Sequence, residues 1–194
     1  MVEKTAVRMI KQMTREELID VSQQEHYVYA LITIMESAIT ISVIFGISLL
    51  AKKVVPTAVF LFFFLALRKR TGGYHMWSFG KCLWGTIGIY LMILGGISDL
   101  VKIPQVLFGL LAVAACLIEW IGTVNHPNMD YDDQELREMK KSARLMTALE
   151  VCIIAFCYIL KVDMLLIGYM SCGIILCAIL VCIAKLSGQE VRKR

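Results

Sequence analysis

Cys82 stands seven residues after His75, at the mouth of an apolar run, within the stretch Arg68-Lys69-Arg70-Thr71-Gly72-Gly73-Tyr74-His75-Met76-Trp77-Ser78-Phe79-Gly80-Lys81-Cys82. The stretch carries four cations (Arg68, Lys69, Arg70 and Lys81) and no acid. A thiolate is the reactive form of cysteine. Nearby positive charge favours it, and an imidazole can take its proton. The chain has 7 cysteines. Cys116, Cys152, Cys157, Cys172, Cys177 and Cys182 lie inside apolar runs, with no His or cation cluster close by in sequence. They read as small hydrophobes rather than a disulfide framework.

Helix geometry constrains the pair. Seven residues of straight helix would separate the two Cα atoms by about 10.5 Å, and His75 would lean away from Cys82. The spacing therefore predicts a bent or non-helical segment holding His75, begun by Gly72-Gly73. Cys82 should then lie in the first turns of the next helix, where the N-terminus lowers a thiol's pKa. A metal at this pair is not expected, because His26 and His126 show no ligand spacing to it and zinc needs three or four protein ligands. No cofactor and no nucleic-acid partner are expected either.

The elements that must position these residues are membrane helices. Hydrophobic residues make up 58% of the 194, above the usual share for a soluble domain, and they fall in blocks of near-spanning length. The blocks are 30–50, 54–67, 83–98, 103–122, 145–160 and 164–184. They predict an all-α polytopic membrane protein with about six transmembrane or membrane-embedded helices. The block 54–67 is short, and a re-entrant or interfacial segment is its alternative. No cleavable leader is expected, since the first apolar run starts near Ala30. Residues 1–29 form an amphipathic arm, with a helix predicted over Thr5–Gln24. It either lies on the inner leaflet or serves as a dimerisation or docking arm. Residues 30–184 form one domain, with the segment 68–82 and a loop 123–144 on one face. The loop opens with the Asn125-His126-Pro127-Asn128 turn and continues as a charged helix. Residues 185–194 are a basic tail.

With the N-terminus inside, Lys52, Lys53, Lys102 and Lys161 fall outside, and the other 16 of the 20 Lys and Arg fall inside. The positive-inside rule favours that orientation. Both termini and the segment 68–82 then face the cytoplasm. Three acids, Glu36, Glu119 and Glu150, lie in or near the spans. Such residues usually face a protein interior or a wet cavity. Glu119, at the depth expected for His75, is a candidate to orient its imidazole, with a structural ion pair as the alternative.

The run Arg68…Gly72-Gly73-Tyr74-His75…Cys82 resembles the signature of the accessory gene regulator B family, bacterial integral-membrane cysteine endopeptidases of quorum sensing. The likeness extends over length, hydrophobic segments, the charged N-terminal helix and the turn after the fourth span. It implies that His75 is general base and Cys82 nucleophile. Arg68 and Gly73 stand where the family has positions needed for activity or architecture. Met76 departs from the small residue common there. The resemblance further implies cleavage of a precursor signal peptide with an amphipathic N-terminal part and an acidic C-terminal tail. A peptidyl thioester on Cys82 would then yield a cyclic thiolactone or lactone. It also implies a homodimer in the bacterial cell membrane. Arg70, Lys81, Lys140 and Lys141, with Arg137 and Arg144, are candidates to attract the acidic tail. A peptide exporter or small-molecule transporter, motivated by the three intramembrane acids, is the alternative function.

Overall fold

A backbone in hydrocarbon must satisfy its N–H and C=O groups within its own segment, and each apolar block accordingly becomes a helix. The computed structural model describes residues 2–16, 18–72, 79–125 and 132–188. Among these every regular element is helical: α1 Val2–Arg15, a 3-10 turn Val21–Gln23, α2 Gln24–Leu50, α3 Val54–Thr71, α4 Phe79–Leu100, α5 Pro104–Ile121, α6 Asp133–Ile159 and α7 Met164–Leu186. Five of them, α2, α4, α5, α6 and α7, are long and apolar enough to cross a membrane.

Helix α3 differs because its last turn carries Arg68, Lys69 and Arg70. Its apolar part, 54–67, would span about 21 Å, short of a hydrocarbon core of about 30 Å. One side of it is packed into the bundle, while Val55 and Phe62 on another side are exposed. Thr57, Phe60, Leu61, Phe63, Leu67 and Thr71 are buried, and α3 packs on α7, α6 and α2. Gly173 lets α3 and α7 meet at their backbones: a Cβ there would stand 3.1 Å from Phe64 N and 3.2 Å from Phe60 O. Small residues at such crossings are what membrane helices use for close packing. Phe63 and Leu67 share a core with Leu107, Ile118, Ile154 and Ile174. Helix α4 is set against α3 by a buried hydrogen bond of 2.6 Å between the Tyr90 and Thr57 hydroxyls.

Three helix ends meet at one end of the bundle. Val124 N, just past α5, donates to Thr71 O at the end of α3 (3.1 Å). Lys185, near the end of α7, places its Nζ 5.5 Å from the Trp120 ring of α5. The opposite end holds the short links after α2, α4 and α6, where Lys52 and Lys161 adopt positive φ and Asp99 pairs with Lys102 at 2.7 Å.

Two boundaries differ from the sequence expectation. Helix α1 stops at Arg15 rather than running to Gln24. The Asp20 carboxylate accepts from Ser22 N at 2.9 Å and Ser22 Oγ at 2.8 Å, capping a new turn. These donors, the backbone N–H first, hold the Asp20 carboxyl below its ordinary pKa. Side chains that bond the local backbone compete with helix continuation in this way. The apolar side of α1, Ala6 and Ile10, is buried, and α1 packs on α2. The second difference is α6. The charged helix of the loop and the fifth span are one helix, 133–159, opened by an Asp132–Glu135 capping box. No Gly or Pro interrupts it.

Candidate functional site

Helix α3 ends where the sequence predicted a bend. Gly72 takes φ 65 and ψ −140, a conformation only glycine adopts without strain, and its N–H returns to Arg68 O at 3.1 Å. Arg68, half-buried, donates from Nη1 to Gly72 O at 2.6 Å. Its guanidinium lies in electrostatic range of two sulfurs, those of Cys82 and Cys177. Cys82 is the fourth residue of α4 and half-buried. Among the described residues it therefore stands in the opening turn of α4. His75 and Gly73 lie outside the described residues.

The cations divide by direction. Lys81 and Lys141 are exposed beside the helix ends, and Lys140 is half-buried, its side chain packed on Gly122. Arg70 turns inward. Its Nη1 donates to Ala66 O at 2.6 Å and its Nε to Ser142 Oγ at 3.1 Å. That guanidinium is committed to α3 and α6, where the sequence offered it as a contact for substrate.

The intramembrane acids also separate. Glu119 is exposed and Glu36 half-buried. The carbonyl of Glu119, not its carboxylate, accepts Arg144 Nε at 2.8 Å. Glu150 is 1% exposed, and neither carboxyl oxygen has a hydrogen-bond partner among the described residues. It lies in electrostatic range of Arg70 and of Cys177. Cys177 Sγ in turn donates to Phe64 O at 3.4 Å. The sequence contained one signal for Glu150: it shares a helical face with Ala143, Thr147 and Ile154, all buried. It contained none for Cys177, whose nearby cation comes from a distant helix.

A buried carboxyl without a partner costs stability of about 1–3 kcal/mol. Glu150→Leu, of similar size, is expected to melt in detergent at the wild-type temperature or a few degrees above it. A clear fall in the melting temperature would show that the carboxyl is paired in the native bundle.

Beneath the end of α3 runs the segment Gly122–Asn125. Thr123, Val124 and Asn125 are buried, and Thr123 Oγ1 donates to Arg70 O at 2.8 Å. Together these residues can do one kind of chemistry well. They set a thiol in the opening turn of α4 with a guanidinium, held by Gly72 O, in electrostatic range of it, an arrangement suited to nucleophilic sulfur chemistry.

A family model described as accessory gene regulator B matches residues 4–185, nearly the whole chain. No curated protein and no solved structure matches it.

Proposed function

Because the chain belongs to the accessory gene regulator B family, and so to quorum-sensing peptide processing, we propose that it is a membrane-embedded cysteine endopeptidase. It removes the acidic tail of a signal precursor and hands the remainder on to cyclisation. The observation that carries this reading is Cys82 in the first turn of α4 with Arg68 in electrostatic range of its sulfur.

The Cys82 thiolate attacks a backbone carbonyl of the precursor, and His75 has taken the thiol proton. In this mechanism backbone N–H groups near Cys82 donate to the oxyanion. The C–N bond breaks, the tail's amine receives the proton from His75, and an acyl thioester remains on Cys82. An internal Cys of the precursor then attacks that thioester, forming the thiolactone and freeing Cys82. One thioester replaces another, so the step needs no nucleotide. It does need exclusion of water until the internal thiol arrives, which a site at the hydrocarbon boundary favours.

Exposed Lys81, Lys141 and Arg137 at the same end of the bundle suit attraction of the acidic tail. This end faces the cytoplasm in our reading, because the opposite links carry only Lys52, Lys53, Lys102 and Lys161 of the 20 Lys and Arg. In a cysteine-free chain, Lys102→Cys is expected to react with an impermeant maleimide in intact cells. Gln134→Cys is expected to react only after permeabilisation; the reverse pattern would invert the topology.

The reading is tested by co-expressing the chain with a precursor from a neighbouring short reading frame. Mass spectrometry should find the released tail and a cyclic product together. Solute uptake into vesicles, unchanged when Cys82 is removed and unaccompanied by tail release, would support the transporter instead.

A further inference from the structure

The last carbonyls of a helix have no partner within it. At the end of α3 two of them are taken by a distant segment. Thr123 Oγ1 donates to Arg70 O at 2.8 Å, and Val124 N donates to Thr71 O at 3.1 Å. Thr71, Thr123 and Val124 are all buried, so water does not offer these groups an easy substitute.

The donor segment is itself held. Gly122 takes φ 72, and a Cβ there would stand 2.8 Å from Lys140 Cγ, so α6 presses directly on it. Its N–H returns to Ile118 O at 2.7 Å. On the other side, a Cβ on Gly72 would stand 3.0 Å from Val124 O. The α3 end is therefore gripped between residues 122–125 and α6, which also receives Arg70 Nε at Ser142 Oγ. One more link reaches the nucleophile: Gly72 O accepts Arg68 Nη1, and Arg68 lies in electrostatic range of Cys82.

We propose that residues 122–125 are a strap that aligns the end of α3, and with it Arg68, to Cys82, and that Thr123 is its positioning residue. Thr123 acts through Arg70 O and the α3 end. The activity arm of the test rests on the peptidase reading; the thiol-reactivity arm does not.

The test uses the full-length chain in nanodiscs, with Thr123→Val and Thr123→Ser. Valine keeps the shape and removes the hydroxyl, and serine restores the donor. Two quantities are read: the rate of Cys82 alkylation by iodoacetamide against pH, followed on the Cys82 peptide by mass spectrometry, and kcat and KM for precursor cleavage. For Thr123→Val the alkylation profile should move to higher pH. Its kcat should fall about tenfold, the scale of one lost hydrogen bond, with KM within about twofold. Thr123→Ser should recover both. A wild-type profile and kcat in Thr123→Val overturns the proposal, as does equal loss in Val and Ser. Should Thr123→Val fail to melt cooperatively, Ser142→Ala, which removes the acceptor of Arg70 Nε, takes its place. The same upward move is then expected, and an unmoved profile overturns the strap. If the wild-type chain cleaves no precursor, the peptidase reading fails, while the alkylation profiles still decide the strap.

Discussion

Cys82→Ala is expected to abolish release of the precursor's tail while leaving a folded, membrane-inserted protein. Loss of a covalent nucleophile removes the pathway itself, and falls of at least about a thousandfold are the usual scale. Folding should survive because Cys82 is half-buried in a first turn, outside the buried core clusters around Phe63 and Tyr90. Cys82→Ser should be almost as inactive, since a hydroxyl is far less acidic than a thiol and Arg68 cannot ionise it near neutral pH. The comparison set comes from the same chain. Cys116 and Cys152 are exposed on the bundle surface, and replacing either with Ala should leave cleavage intact. Cys177→Ala removes a buried thiol and its bond to Phe64 O, with an expected cost of about 1 kcal/mol in stability and with the chemistry preserved. Immunoblots of the precursor and mass spectra of the medium read the result. Normal cleavage by Cys82→Ala would end the assignment.

Gly72→Ala should be the most damaging single change outside Cys82 and His75. At φ 65 and ψ −140 a Cβ carries a strain of about 1–3 kcal/mol. The added methyl would also stand 3.0 Å from Val124 O. That oxygen belongs to backbone whose N–H is bonded to Thr71 O, so it cannot retreat without breaking the strap. Thermal melts should fall by several degrees, as expected for a loss of this size in a chain of about this length. Tail release should fall about a hundredfold or more, because Gly72 O is also the acceptor that holds Arg68. Gly46→Ala and Gly109→Ala are the controls: both sit in helices with open space around them, where alanine is neutral or stabilising. A Gly72→Ala protein with wild-type melting and wild-type cleavage would contradict the geometry described above.

What the sequence determined by itself was local and periodic. Runs of apolar residues with no water to bond their backbone must be helices, so the all-α membrane fold and its order of spans could be read directly. A glycine pair after a cationic helix end marked the break at Gly72. The apolar run beyond Lys81 placed Cys82 in a first turn. Each of these depends on neighbours within a few positions.

Tertiary structure decided everything that depends on which way a side chain faces or on what a distant helix brings. Arg68 and Arg70 are two residues apart, yet one lies in electrostatic range of Cys82 and the other turns to Ser142 and Ala66 O. Glu119 and Glu150 look alike as single acids in apolar runs. Packing on α3 and α7 left one exposed and buried the other. The strap residue Thr123 carries no motif of its own. It matters because the ends of α3 and α5 meet, and hydrogen bonds of about 3 Å reach only what packing has already brought together.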